Sequence, residues 1–332
     1  METTFPSRPP DIEHRPARSS GPGRLDAPAR RIVSLLPSAT EIVCTLGLSE
    51  RLVAVSHECD FPPEAVAGLP RMTADRIPPT TRRSGEIDAA VRAALAAGHG
   101  LYALDEPLLV RLAPDLVLTQ ELCHVCAVSY PTVLQAARAA GGAGAPLVVS
   151  LEPHSLADVL ATIELVATLA GVEARGETVT AALRVRLAEV EPPTRRPDVA
   201  LVEWLDPLFA PGHWVPEQIE RAGGESVMGV RGERSRESSW EALAAADPDV
   251  VVLGLCGFDL PRTLDEWSAF EPPVPLTRTK AWRHGQMWAI DGSAYVSRPG
   301  PRLIDGVEIL AAVVAGRPDP RAIRLPRAKV NY

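Results

Sequence analysis

The amino-acid sequence predicts an α/β protein of two similar lobes, each a parallel sheet covered by helices, joined by a long helix. Three observations carry that prediction. Short apolar runs alternate with amphipathic helical stretches, a helix–Pro-Asp–strand–Cys pattern occurs in both halves, and a long run of helix formers separates the halves. The chain has 332 residues, 46% of them apolar, enough for two domains with cores of their own.

Taken in order, residues 1–30 are rich in Pro, Arg, Gly and Ser without an apolar run, and are expected to form a disordered arm. The first lobe is expected over 31–154. It opens with "RIVSLLP", a strand ended by a Pro-Ser turn. Ser38 and Glu41 have the S-x-x-E spacing of a capping box for the next helix, which Gly47 closes. "RLVAV" is a second strand and opens into "SHECDFPP", where adjacent prolines forbid a helix. "EPLLVRLAP" has a helical period, "DLVLTQ" is a strand followed by the loop "ELCHVC", "TVLQAARAAG" is a helix, and "PLVVSLEP" is a strand.

Residues 155–192 are nearly all helix formers, with Ser155 placed as a cap. As one helix they would span about 50 Å at 1.5 Å per residue, a strut between lobes, although Gly171 offers a break. The second lobe, 193–320, repeats the first. "DVALVEWLDPLFAPGHW" is a strand emptying into a loop, "VPEQIERAGG" is a helix, and "WEALAAADPDVVVLGLC" parallels "LLVRLAPDLVLTQELC". Residues 321–332 are left as a tail.

Charge excludes some partners. A net charge of -8, a pI near 5.5 and only two lysines, Lys280 and Lys329, leave no basic footprint for nucleic acid. No run approaches the roughly 18 apolar residues of a membrane span. The first thirty residues hold no signal-peptide core and the first cysteine is Cys44, so a cytoplasmic location with reduced thiols is expected.

In parallel α/β sheets ligands bind beyond the C-terminal strand ends. The loops predicted there carry Pro37, Ser38, His57, Glu58 and Cys59 in the first lobe, and Trp204, His213, Trp214, Phe258, Tyr295, Arg298 and Arg302 in the second. Together they suggest an interlobe ligand cleft. Cys123 and Cys126 have the C-x2-C spacing of zinc ligands, a tetrahedron that His57, Cys59 or Cys256 would complete. The same pair also reads as a redox couple or as one wall of an organic-ligand pocket. No Ser-His-Asp or paired-carboxylate arrangement stands out, so an enzyme is not expected. Cys44, on the apolar face of the first helix, reads as packing.

Residues 31 to about 315 resemble the class III substrate-binding proteins of ABC importers, which carry cobalamin, iron-siderophores and haem. The segments "RIVSLLPSATEIVCTLGLSERLVAVSHECDFPPEA", "LAPDLVL" and "GSAYVSRPGPRL" carry the resemblance. It implies two Rossmann-like lobes joined by one long helix, and a corrinoid or related metal chelate between them. The family's corrin-contacting aromatic falls at Glu58, and its second contact segment on Ala294 to Arg298, with Tyr295 matching an aromatic. Trp204, Trp214, Phe258 and Tyr295 would then cover the macrocycle, and Arg298 and Arg302 would meet its polar side groups. His57, His213 or a cysteine would be the axial metal ligand. Glu241 matches an acid with which the family docks on an ABC permease, and Glu106 lies beside the position of its first-lobe counterpart.

Overall fold

In the computed structural model, which describes residues 17–19, 25–76, 83–98, 100–121, 130–141 and 145–327, the apolar runs form two five-stranded sheets of one topology. In chain order the first lobe contributes strands β1 (Ala17–Ser19), β2 (Ile32–Ser34), β3 (Leu52–Val55), β4 (Thr73–Asp75), β5 (Tyr102–Leu104), β6 (Leu116–Thr119) and β7 (Leu147–Leu151). The second contributes β8 (Asp198–Val202), β9 (Phe209–Ala210), β10 (Glu225–Ser226), β11 (Arg236–Glu237), β12 (Val250–Leu253), β13 (Met287–Ile290) and β14 (Ala322–Arg324).

The sheet orders are β3-β2-β6-β7-β1 and β10-β8-β12-β13-β14. In each, four parallel strands carry one antiparallel edge strand. The expected duplication therefore extends to the edges, and the edge strands come from segments expected to be an unstructured arm and tail. Ala17 pairs with Leu151, and Ile323 with Ala289. Both pairings join strands far apart in the chain and leave no trace in local composition.

The central strands read as continuous apolar runs because both faces are covered. Leu116 and Leu118 of β6 enter one core and Val117 the core on the opposite face, while Val250 and Val252 of β12 face one core and Val251 and Leu253 the other. Both Pro-Asp repeats do the same work. The helices before them, α4 (Glu106–Leu112) and α9 (Trp240–Ala246), end at a left-handed residue, Ala113 or Asp247. The following aspartate then holds the start of the adjacent strand: Asp115 accepts from the Arg30 and Arg31 N–H groups, and Asp249 from that of Asp198.

The single strut is corrected to a helical hairpin, α6 (Leu156–Leu169) and α7 (Glu173–Ala188). Gly171, at φ +66°, closes α6 with the Gly171 N–H on Thr168 O and the Val172 N–H on Ala167 O, the paired bonds of a Schellman stop. Both helices touch both lobes, α7 through Leu183 on the first-lobe core and the Arg186 pairs with Asp305 and Glu308 of the second, and α6 through its apolar face. Its first turn, Leu156 and Val159, belongs to the second-lobe core, and Leu160, Ile163 and Val166 belong to the first.

Helix α3 (Ser84–Ala96) departs from the expected boundaries in another way. It lies between β4 and β5 of the first lobe yet docks on the second: Ser84 donates N–H and Oγ–H to the buried Glu266 carboxylate (2.9 and 2.7 Å), and Arg83 pairs with Asp265. No helix among the described residues is long and apolar enough to cross a membrane.

Candidate functional site

The loops leaving β2 and β3 meet the one leaving β13, and the first feature they build is an ionic clamp. Arg302 grips the Glu41 carboxylate with two hydrogen bonds, Nε to Oε2 at 2.9 Å and Nη2 to Oε1 at 2.6 Å, and its guanidinium stacks on Phe61 at 4.1 Å. Arg298 pairs with both Asp60 oxygens, donates to Glu58 O, and lies 3.7 Å from Glu41. Glu41 and Asp60 belong to the first lobe and both arginines to the second.

This corrects two expectations. Helix α1 (Pro37–Thr45) has no side-chain cap, and Glu41 is not part of a capping box, because its carboxylate is turned to Arg302. Arg298 and Arg302 meet partner carboxylates instead of standing free for a ligand. The local S-x-x-E spacing lost to a bidentate pair of opposite charges, the stronger interaction. Pro37 starts α1 and is half-buried, while Ser38, 2% exposed, lies beneath Gly300 of the second lobe and so sits in the lobe contact and not on an open wall.

A second cluster lies beside the clamp. His57 Nε2 is 3.0 Å from Asp75 Oδ1 and 3.3 Å from Glu58 Oε1, and its Nδ1 is 2.7 Å from Thr73 Oγ1. The Glu58 hydrogen bond and the charges of Glu58 and Asp75 outweigh burial and raise the imidazole above its ordinary value; Glu58 is correspondingly lowered. Asp75 had no signature in the sequence, since its strand is three residues of a short antiparallel ribbon, too brief to carry a pattern. Glu58, at the position of an aromatic contact, makes an ionic surface there.

Cys59 does not join this cluster. It is 1% exposed in the first-lobe core, accepts from Thr40 Oγ1 at 3.1 Å, and burial pushes its thiol up to about 11. Cys44 packs against the same core with its thiol likewise raised to about 11. Cys256 is exposed on the β12 exit loop. Cys123 and Cys126 lie outside the described residues.

The aromatics divide. Trp214 is 5% exposed with its indole N–H on Val296 O at 2.8 Å, and Phe258 is 2% exposed in the core under Arg262. Both are corrected from ligand contacts to core. Trp204 is half-buried, edge-on to Phe258 at 5.2 Å, and donates to Ser84 O of α3. Tyr295 is half-buried in a π-helical turn, Ser293–Ser297, and packs on the second-lobe core.

Where α6 begins, His154 of the first lobe faces His213 of the second, ring centres 5.7 Å apart. His213 has φ +51°, its N–H donates to Glu233 O, and its Nε2 is buried with no hydrogen-bond partner among the described residues. Burial, followed by the nearby His154 and Arg234 charges, drives its pKa down from 6.5 to about 4. A lowered base opposes folding when protonated, so stability should fall as pH drops from 6.5 toward 4. The His213 ring resonances should stay in the neutral position well below pH 6.5; a midpoint at the ordinary value would contradict the buried geometry.

Glu106 and Glu241 are both exposed and sit in the first turns of the equivalent helices α4 and α9.

A family model described as periplasmic binding protein matches residues 32–284. The vitamin B12-binding protein of Vibrio cholerae is 23% identical over 288 residues, covering 85% of this chain and 87% of its own. An ABC transporter substrate-binding lipoprotein of Bacillus subtilis is 22% identical over 298 residues, covering 85% of this chain and 79% of its own. A solved apo structure, the periplasmic haem-binding protein of Roseiflexus, superposes with a TM-score of 0.64 at 26% identity, over 87% of this chain and 98% of its own. These matches overturn the expected cytoplasmic location, because a lipoprotein of an ABC transporter and a periplasmic binding protein work outside the cytoplasmic membrane.

Proposed function

The chain belongs to the periplasmic binding protein family, whose members are substrate-binding proteins, and from that premise we propose that it captures a corrinoid between its lobes for an ABC importer. The corrinoid reading is supported by similarity to a vitamin B12-binding relative over 85% of one chain and 87% of the other, with haem as the competing ligand because the haem-binding structure is similar over as much of the chain. The working place of the protein is then extracytoplasmic.

Within the cleft, Trp204 and Tyr295 are the half-buried aromatics, and His213 is the imidazole best kept for a chelated metal. Metal ligation needs a neutral ring nitrogen with a free lone pair, and burial holds His213 neutral with Nε2 unsatisfied. The roles of Glu106 and Glu241 as permease contacts are supported by their matched exposure and helix positions, which give the two lobes equivalent acidic tips.

Purified protein titrated separately with cyanocobalamin, haemin and a ferric siderophore tests this reading. Cobalamin is expected to bind at micromolar concentration or below, quench tryptophan fluorescence and shift its visible spectrum. Tight haemin binding without any cobalamin response would sink the corrinoid reading and leave only the broader class. His213→Ala is expected to abolish the spectral shift; an unchanged shift would remove His213 as the axial group.

A further inference from the structure

We propose that His57, Glu58 and Asp75 form a binding site for a divalent transition-metal ion at the edge of the interlobe contact, separate from any metal carried inside a cleft ligand. One ligand atom from each residue converges, with all three within 4.8 Å of one another. The two edges measured from His57 Nε2 are 3.0 and 3.3 Å. Three ligands at about 2.0–2.2 Å from a tetrahedral ion are separated by about 3.3–3.6 Å, so the two measured edges suit zinc to within a few tenths of an ångström, and the two carboxylates, within 4.8 Å of each other, would close on the ion.

The surroundings fit a metal in two further respects. A ligating imidazole is ordinarily fixed by a hydrogen bond at its other nitrogen. Here His57 Nδ1 sits 2.7 Å from Thr73 Oγ1, which also accepts from the His57 backbone N–H at 3.1 Å, so Thr73 sets the ring's orientation. Thr73 and Asp75 are two residues apart on β4, with Ala74 between them, and so lie on one side of the strand. One short segment therefore supplies both a ligand and the group that aims another.

Access is the second respect. The His57, Glu58 and Asp75 side chains are 21%, 47% and 34% exposed, so an ion reaches the site from solvent and keeps water in its remaining positions. The backbone carbonyl of Glu58 meanwhile accepts from Arg298, which ties the site to the clamp. An imidazole with two carboxylates suits zinc and its first-row neighbours better than calcium or magnesium. The competing occupant of the same triangle is a proton on His57, held between the two carboxylates.

Chelator-stripped full-length protein titrated with Zn2+ against a chromophoric competitor decides between them. One equivalent is expected to bind at micromolar concentration or tighter. His57→Gln and Asp75→Asn should each weaken it at least ~tenfold, and Thr73→Val should weaken it about tenfold through loss of ring orientation. Cys123→Ser/Cys126→Ser should leave this affinity unchanged. Co2+ should give a d–d spectrum without a thiolate charge-transfer band. Circular dichroism of each variant checks folding, and the use of two different ligand variants keeps the test valid if one misfolds. No zinc uptake at about 100 μM would overturn the site, as would uptake lost with the cysteines and retained by His57→Gln and Asp75→Asn. Because no corrinoid is present, this result is independent of the cleft ligand's identity.

Discussion

Arg302→Ala is expected to lower the unfolding free energy by about 3–5 kcal/mol, because it leaves the Glu41 carboxylate, 2% exposed, without its bidentate partner in the lobe contact. The loss should depend on pH in a defined direction. Burial already pushes the Glu41 carboxyl above its ordinary 4.5, against the pull of Arg302 and Arg298. That rise and the short bidentate geometry point to opposite conclusions about the pair's worth. The geometry is the better guide to the damage done by removing one partner, and the raised carboxyl is the better guide to the pair's modest net contribution.

Without Arg302 the carboxyl rises further and is neutralised sooner as pH falls. The mutant's deficit should therefore be larger near pH ~8 than near pH ~5. Asp60 behaves oppositely. Burial would raise it, but Arg298, through hydrogen bond and charge, holds it below 3.8, so its contribution is complete above that value and disappears only as pH falls through the lowered one. Urea unfolding at both pH values measures the effect. A deficit under about 1 kcal/mol at both would mean that the clamp does not join the lobes energetically, as for an ordinary surface pair. The double variant Glu41→Leu/Arg302→Met should recover most of the loss, since it removes both charges from the buried contact.

This clamp also marks the limit of what the sequence could convey. The sheets were legible because their strands are covered on both faces, which writes unbroken apolar runs such as "DLVL" and "DVVVL", and because the Pro-Asp device occurs twice. The clamp was not, because Glu41 and Arg302 are 261 positions apart and S-x-x-E gives glutamate a complete local explanation as a cap. Asp75 escaped too, since it is the bridging of residues 70–73 to Val55 and His57 that carries it to the imidazole. Trp214 and Phe258 lie in the right loops, but loop position does not say which way a side chain turns, and both turn into the core. Helix α3 went unread, and its docking on the second lobe depends on Glu266, which it reaches across 182 positions.

Gly292→Ala should be strongly damaging, because the methyl lands where two exit loops of the second lobe touch. A side-chain carbon at Gly292 would stand 2.2 Å from Leu255 O, 2.5 Å from Gly254 C and 2.5 Å from Leu255 N, all backbone atoms that no rotamer change can move aside. The loop leaving β13 would have to retreat from the loop leaving β12. These two loops carry Tyr295 and Arg298 on one side and Cys256 and Phe258 on the other. Overpacking of this kind costs about 1–3 kcal/mol, and the upper end is expected where only backbone can yield. The displacement would also draw Arg298 away from Asp60, so the lobe contact should weaken with it. Gly68→Ala is the matching control, because the same methyl meets nothing within 4 Å there. It should be neutral or stabilise by up to ~1 kcal/mol through the unfolded chain. Unfolding midpoints and cobalamin affinity measured on both variants separate the cases: Gly292→Ala should lose on both, and Gly68→Ala on neither. Equal stability of the two would mean that the contact between these exit loops relaxes at no cost, and that the second-lobe wall of the cleft is not fixed by it.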